Sequence, residues 1–187
     1  MKEKESQSSV VRCHWCNVKN PIYVEYHDRE WGVPIHNDRK LFEMLLLESF
    51  QAGLSWECIL NKRGTFAAAF DNFDYQKIAR YDAHKLDALV KDEGIIRNRL
   101  KISAAVKNAQ AFILIQKEFG SFDRYIWHFT NGQTIVETGP TRSPLSDQIS
   151  KDLKRHGMKF VGTTIIYSYL QAIGIINAHE PNCFLAV

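Results

Sequence analysis

Apolar residues recur at helical spacing along most of the chain, whereas the alternation that marks a half-buried strand is almost absent. The spacing is clearest where Leu41, Met44 and Leu45 fall on one face of a helix. The pattern predicts helices over residues 38–52, 55–69, 74–80, 83–93, 98–119, 121–130, 145–156 and 162–177. Residues 132–142 are predicted to form the longest loop. The fold class that follows is all-α, a compact multi-helix domain.

Several predicted helix ends carry residues that favour a boundary. Asp38 is placed to cap the first helix, and Ser143 followed by Pro144 is typical of an N-cap with proline in the first turn. Gly94 and Gly120 are placed to end the fourth and fifth helices. These signals support the helical boundaries independently of the apolar spacing.

One acidic residue interrupts the apolar stripe of the first predicted helix. Glu48 falls at i+7 from Leu41, in the middle of the stripe, whereas Glu43 lies on roughly the opposite side and is expected to reach water. A buried carboxylate is costly unless it is paired or hydrogen-bonded. A structural glutamate in a core network satisfies this pattern. So does a carboxylate that reads the edge of a flat, polar or cationic ring, because Gly53 breaks the helix and Trp56 follows closely.

Composition narrows the class of protein. The 187 residues suffice for one domain, and a net charge of +3 permits a nucleic-acid partner without arguing for one. No apolar run approaches the length of a membrane span, so no membrane partner is expected. Residues 1–11 are predicted to be a disordered tail, and residues 12–187 one domain of two small helical lobes. The first residues lack the apolar core of a secretory signal, and the four cysteines then favour a reducing, cytoplasmic compartment.

Cysteine and histidine residues near the two ends of the chain could form one metal site. Cys13 and His27 lie near the start, and His179 and Cys183 lie near the end. Two thiolates and two imidazoles complete a tetrahedral zinc site, which would be structural because no coordination position stays open. Cys16 competes with Cys13 for this role. From spacing alone, ordinary buried cysteine and histidine side chains are the simpler interpretation.

A helix, a short turn with glycine and a second helix follow one another around Gly94. Backbone N–H groups at such a turn can hold a DNA phosphate, and Arg97, Arg99 and Lys101 would add positive charge. A plain helical corner with a solvated basic turn explains the same residues. The second glycine of a usual helix-hairpin-helix is missing, since Arg97 occupies roughly its place.

A polar stripe runs along the last predicted helix, which is otherwise apolar. It consists of Thr164, Tyr167, Ser168 and Gln171, at i, i+3, i+4 and i+7. Such a stripe either lines a cavity or is simply the side of the helix that faces water. The sequence favours neither interpretation.

Several of these residues belong to blocks that together resemble the 3-methyladenine DNA glycosylase I family, within the helix-hairpin-helix glycosylases. The resemblance extends from Arg12 to Cys183. In chain order the blocks are Cys13-x-Trp15, Tyr26-His27-Asp28-x-Glu30-Trp31-Gly32, Leu47-Glu48-x-x-Gln51-Ala52-Gly53-Leu54-Ser55-Trp56, Gly94-Ile95-Ile96-Arg97-x-Arg99, Lys159-Phe160-Val161-Gly162-Thr163-Thr164 and His179-x-x-x-Cys183. The resemblance implies an all-α fold whose two ends are joined by a structural zinc ion.

The resemblance also implies roles for the matching residues. Glu48 would be the active-site carboxylate that hydrogen-bonds the methylated adenine. Tyr26 and Trp56 would stack on the base, and Trp15 would close the pocket. The DNA-binding residues would be Gly53, Leu54, Gly94, Arg97 and Arg99, with Leu54 entering the gap left by the extruded nucleotide. One structural Zn²⁺ would be held by Cys13, His27, His179 and Cys183, which selects Cys13 over Cys16.

The activity implied is removal of 3-methyladenine from alkylated double-stranded DNA, with the free base as product. We expect a monofunctional enzyme without lyase activity, because the long helix over 98–119 lacks the aspartate that relatives acting on neutral bases place after the hairpin. No organic cofactor is expected, and the protein is expected to be a monomer. A glycosylase of different base preference and a non-catalytic binder of damaged DNA are the alternatives. A zinc hydrolase is disfavoured because the expected ligands saturate the metal.

Overall fold

Helices and one two-stranded sheet make up the computed structural model, which describes residues 10–187. The helices are α1 (Pro21–Arg29), α2 (Asp38–Gln51), α3 (Trp56–Asn61), α4 (Arg63–Ala69), α5 (Tyr75–Ile78), α6 (Ala83–Lys91), α7 (Arg99–Phe119), α8 (Phe122–Trp127), α9 (Pro144–Arg155) and α10 (Thr163–Ala172). Short 3₁₀ turns lie at Asp71–Phe73 and His128–Thr130. The strands β1 (Ile135–Val136) and β2 (Ile176–Asn177) pair in parallel. The predicted all-α class is confirmed.

Helix α1 is absent from the sequence-based prediction. Its buried residues are Tyr23, Tyr26 and His27, whose polar atoms weaken the apolar stripe that periodicity detects. The helix nevertheless begins with ordinary signals, since Asn20 is its N-cap and Pro21 lies in its first turn. This helix carries one wall of the site described below.

Two predicted helices have different ends in the structure. The helix predicted over 55–69 divides at Lys62 into α3 and α4. The helix predicted over 162–177 ends at Ala172, and the chain turns at Gly174, with φ of +76°, into β2. A side chain at Gly174 would also overlap the backbone of Val33. Both the backbone conformation and the close approach therefore require glycine.

Asp38 caps a different helix from the one predicted. The N-cap of α2 is Asn37. The Asp38 carboxylate instead accepts hydrogen bonds from the backbone N–H groups of Phe122 and Asp123, at 3.0 and 2.8 Å, and so caps α8 together with Ser121, the N-cap residue of that helix. Gly94 lies beyond the end of α6, which closes at Lys91. The predicted ends of α7 and the predicted start of α9 agree with the structure to within one residue.

Helix α2 is the centre of the core and packs against α3, α7, α8 and α10. All ten residues from 41 to 50 are buried, so this helix has no face in water over that length. The expectation that Glu43 reaches water is therefore wrong. Its carboxylate accepts a hydrogen bond from Arg63 Nε at 2.7 Å and pairs with Lys40 Nζ at 3.0 Å. Buried charge is tolerated here because it is paired.

The two ends of the described chain meet. The backbone N–H of Phe184 donates to the carbonyl of Val11, at the limit of the predicted tail, and the N–H of His14 donates to the Glu180 carboxylate at 2.9 Å. The rest of the predicted tail, residues 1–9, lies outside the described residues. Among residues 10–187, no helix combines the length and apolar character that a bilayer crossing needs.

Candidate active site and metal cluster

A cavity of about 590 Å³ opens between α1, α2, the start of α3, α10 and the loop over 138–141. Its lining comprises His14, Trp15, Tyr23, Tyr26, Trp31, Glu48, Gln51, Trp56, Thr138, Gly139, Pro140, Thr141, Ser168, Gln171, Ala178, Glu180 and Pro181. All four residues expected to form a base pocket, Trp15, Tyr26, Glu48 and Trp56, are in this lining. The volume lies within the range of small-molecule sites.

Glu48 places a buried carboxyl group in the lining of the cavity. Its side chain is 3% exposed, and among the described residues its Oε2 has no hydrogen-bond partner. Burial raises the pKa of Glu48 to about 8, because no neighbouring cation offsets the loss of water. Glu43, on the same helix, is equally buried but paired. An unpaired buried carboxyl facing a cavity is ready to receive a ligand's donor or positive charge.

Aromatic rings enclose the same space. The rings of Tyr26 and Trp56 are 5.3 Å apart with planes inclined by 49°. Trp56 Nε1 is buried and, among the described residues, has no acceptor. Trp15 lies 4.6 Å from the ring of Trp31 and 5.6 Å from that of Tyr23. Such faces favour a flat, electron-poor or cationic ring.

The cysteine and histidine residues from the two chain ends also converge. The ligand atoms of Cys13, His27 and Cys183 all lie within 4.8 Å of one another, and Cys183 Sγ is 3.6 Å from His27 Nε2. Cys16 lies outside this group, with its thiol 3.9 Å from the carbonyl of Tyr23. The structure therefore places Cys13, not Cys16, beside His27 and Cys183.

His179 lies next to this group, with its ring 5.4 Å from that of His27. Its Nε2 is buried and has no partner among the described residues, while its Nδ1 hydrogen-bonds Asn177 Oδ1 at 2.9 Å. His27 Nδ1 likewise hydrogen-bonds Asp28 Oδ1 at 2.7 Å. The Nε2 of His27 accepts a hydrogen bond from the backbone N–H of Cys13 at 3.2 Å, so within the described chain only the Nε2 of His179 is left without a partner. Hydrogen bonds at Nδ1 of this kind are typical of metal-binding histidines.

The hairpin residues surround a tight turn between α6 and α7. Gly94 N–H donates to Asp92 Oδ1 at 2.8 Å, and its carbonyl accepts from Thr65 Oγ1 at 2.6 Å. A Cβ on Gly94 would lie 3.0 Å from Thr65 Cβ, so glycine permits this contact. Arg97 and Arg99 are exposed, and each is paired with an acidic residue of the same region.

Lys101 does not join the exposed cations as expected. It is 6% exposed, and its ammonium donates to the carbonyls of Phe50 and Ala52 at 2.7 and 2.6 Å. Burial lowers the pKa of Lys101. The phosphate role expected for Lys101 is therefore wrong. Leu54, by contrast, is 41% exposed at the tip of its turn, after Gly53 with φ of +81°.

Comparison with known proteins decides the family. The family described as methyladenine glycosylase matches residues 15–186, nearly the whole chain. The chain belongs to this family.

Individual proteins and solved structures of this family are similar to the chain over most of its length. DNA-3-methyladenine glycosylase 1 of Escherichia coli is 44% identical over 178 residues, covering 92% of this chain and 95% of that protein. DNA-3-methyladenine glycosylase of Haemophilus influenzae is 40% identical, covering 92% and 96%. A crystal structure of 3-methyladenine DNA glycosylase I superposes with a TM-score of 0.91 at 43% identity, covering 95% of this chain and 100% of that one. The Staphylococcus aureus structure described as the basis of 3-methyladenine recognition gives 0.89 at 35%, covering 93% and 97%.

Sequence reasoning assigned no role to several residues that line the cavity of this family member. Tyr23, Trp31 and Gln51 are among them, although Trp31 and Gln51 occur in the blocks that carry the resemblance. The polar stripe on α10 did carry a usable signal, since Ser168 and Gln171 line the cavity. The loop over 138–141 carried no such signal in the sequence, because nothing in a loop that contains glycine and proline indicates which surface of the protein it covers.

Proposed function

We propose that this protein excises 3-methyladenine from alkylated double-stranded DNA by hydrolysing the N-glycosidic bond, without lyase activity. The observation that carries the proposal is the unpaired Glu48 carboxyl, 3% exposed, in a cavity walled by Tyr26 and Trp56. The curated relatives are named for this activity, and at 40–44% identity over most of the chain they support it.

The chemistry suits a pocket with one carboxyl group and aromatic walls. Adenine methylated at N3 is cationic, and its bond to C1′ of the sugar is already weak. As that bond breaks, its electron pair leaves with the base, and a water oxygen forms the new bond to C1′ and loses a proton. The pocket must mainly select the cationic ring, which aromatic faces and the Glu48 carboxylate favour. The approach of this cation offsets the burial that raises the pKa of Glu48 to about 8, and so favours the ionised form.

Access to the base requires extrusion from the duplex. Leu54 is exposed on a turn that follows directly from the helix carrying Glu48, and it would fill the gap left by the nucleotide. Arg97 and Arg99, exposed beside the Gly94 turn, would contact phosphates. Their present acidic partners are weak competitors, because exposed ion pairs contribute little free energy.

The pocket lining supports the absence of lyase activity. A glycosylase–lyase needs an amine that attacks C1′, and the lining of the cavity in residues 10–187 contains no lysine. The same lining favours catalysis over mere binding of damaged DNA, because a binder would have little need for Glu48, Tyr26 and Trp56 together.

We further infer that Cys13, His27, His179 and Cys183 hold one structural Zn²⁺. The buried Nε2 of His179, without a partner among the described residues, and the convergence of the other three side chains support this set. Burial raises the pKa of Cys13 to about 12, so its thiolate requires a cation beside it. The ion would cross-link the ends of the domain, and four protein ligands would leave no position for substrate.

The proposed activity is tested by incubating the protein with methylated duplex DNA and separating the released bases by chromatography. We expect 3-methyladenine to appear with wild-type protein and about tenfold to a thousandfold more slowly with Glu48→Gln, since a mismatched buried contact costs about 1–3 kcal/mol or more. Duplex binding without any base release would overturn the proposal. Strand cleavage without alkali would overturn the monofunctional assignment.

A further inference from the structure

Lys101 caps α2 from another helix. It is the third residue of α7, and its buried ammonium donates to the carbonyls of Phe50 and Ala52. These carbonyls lie at the C-terminal end of α2, where carbonyl groups lack donors from their own helix. The helix dipole also favours a cation at that end. The two contacts therefore anchor the point at which α2 gives way to the exposed turn.

The turn that follows has few other anchors. Residues 53–55 are all exposed, and a Cβ on Gly53 would meet no atom within 4 Å. Within the described part of the chain, the Leu54 N–H donates to the carbonyl of Gln51 at 2.6 Å, and Ser55 caps α3 through the N–H of Cys58. The position of Leu54 therefore depends strongly on where Lys101 holds the end of α2.

The position of the Glu48 side chain depends on Lys101 much less than the position of Leu54 does. The residues around it, Leu45, Leu46, Leu47 and Phe50, are each at most 2% exposed and lie within the core. Close packing fixes this part of α2 independently of its last carbonyls. The carboxyl group and the exposed turn thus have separate supports, although they are only six residues apart.

The backbone of Lys101 connects to the hairpin. Its N–H donates to the Asn98 side chain at 3.1 Å, and Asn98 caps α7. Arg97 is the residue directly before that cap. One lysine therefore joins the hairpin proposed to hold the DNA backbone to the turn proposed to enter the duplex.

We propose that Lys101 is a positioning residue for base excision, which sets Leu54 at a fixed distance from the DNA backbone bound at the hairpin. The inference rests on the proposed function. Lys101 is not a lyase nucleophile, because two carbonyls occupy its ammonium and it is not part of the cavity lining. It acts through Leu54, which needs correct placement to hold the extruded state.

A double-mutant cycle tests the proposal. The variants are Lys101→Met, Leu54→Ala and the pair together, with Lys117→Met as control, since Lys117 is exposed at the far end of α7. Three quantities are measured for each: single-turnover release of 3-methyladenine from DNA, binding of free 3-methyladenine by tryptophan fluorescence, and binding of undamaged duplex by anisotropy.

We expect Lys101→Met to slow excision by about tenfold to a hundredfold, the size of effect that a small misplacement produces. Free-base binding and undamaged-duplex binding should stay near wild type. The double variant should be no slower than the slower single variant, because both changes remove the same placement. Lys101→Arg should recover part of the rate, and Lys117→Met should match wild type.

Two results would overturn the proposal. One is excision losses for Lys101→Met and Leu54→Ala that multiply in the double variant, as independent effects do. The other is a loss of free-base affinity as large as the loss of rate, which would mean that Lys101 supports the pocket. If Lys101→Met does not fold, Lys101→Gln replaces it in the same cycle. Failure of wild-type protein to release base would instead refute the proposed function.

Discussion

Glu48→Gln should make the protein more stable as it makes it a poorer enzyme, and the gain should depend on pH. The unfolded carboxyl has its ordinary pKa of 4.5, whereas burial raises the folded value to about 8. Below pH 4.5 both states carry the proton, so the residue has no effect on the pH dependence. Between the two values only the unfolded state loses its proton, and the free energy of unfolding falls as pH rises.

The size of the effect follows from the two pKa values. Each pH unit between them corresponds to about 1.4 kcal/mol. Wild type should therefore lose about 3 kcal/mol by pH 7 through this one residue, and about 5 kcal/mol once pH exceeds the folded pKa of about 8. The amide of Glu48→Gln cannot ionise, so the free energy of unfolding of the variant should not fall with pH for this reason. We expect it to equal wild type near pH 4.5 and to exceed it by several kcal/mol at pH 8.

The assay is urea unfolding of both proteins at intervals from pH 4.5 to 9, with the difference plotted at each pH. Glu43→Gln is the matched control, because Glu43 is as buried as Glu48 and lies on the same helix but is paired with Arg63 and Lys40. That change should lower stability at neutral pH, since it leaves the half-buried Arg63 with one carboxylate partner fewer. If the free energy of unfolding of Glu48→Gln minus that of wild type is constant with pH, or negative, the reasoning is refuted. Glu48 would then be a structural residue whose carboxyl group is satisfied within the core.

Three further outcomes are expected. Metal analysis of protein purified without chelator should find about one zinc per chain, and Cys183→Ser should remove the metal and lower Tm, whereas Cys16→Ser should do neither. Arg97→Gln and Arg99→Gln should each weaken duplex binding at every sequence and reduce the slope of log affinity against log salt by about one, without changing the affinity for free 3-methyladenine. Gly32→Ala should destabilise the fold by about 1–3 kcal/mol and reduce zinc content, because φ is +78° and the new Cβ would lie 2.9 Å from the His179 ring. An unchanged zinc content in this variant would contradict the expected effect.

The local signals that proved correct are ones a helix needs regardless of its neighbours. Gly120 adopts the positive φ that ends α7, and Ser143 caps α9 with Pro144 in its first turn. These features depend on a residue and the few that follow it, so the sequence carries them in full. The same holds for the apolar spacing that predicted α2 and α7.

The buried position of Glu48 was also readable, since it falls within an apolar stripe. The polar partners around Glu48 could not be predicted from the sequence. Periodicity describes Glu43 and Glu48 as lying on opposite sides of one helix, yet both are buried, because α2 is surrounded by other helices. The contrast between them arises from Arg63 and Lys40, which both pair with the Glu43 carboxylate and not with that of Glu48.

The sequence by itself determined the all-α class, most helix positions and four of the residues that the cavity brings together, Trp15, Tyr26, Glu48 and Trp56. Only the tertiary structure decided which charges are paired, which helix Asp38 caps and where the Lys101 ammonium lies. The physical reason is the range of the interactions. Helical periodicity and capping act within a few residues, whereas the partner of a buried polar group is set by packing between segments that can be far apart in the chain.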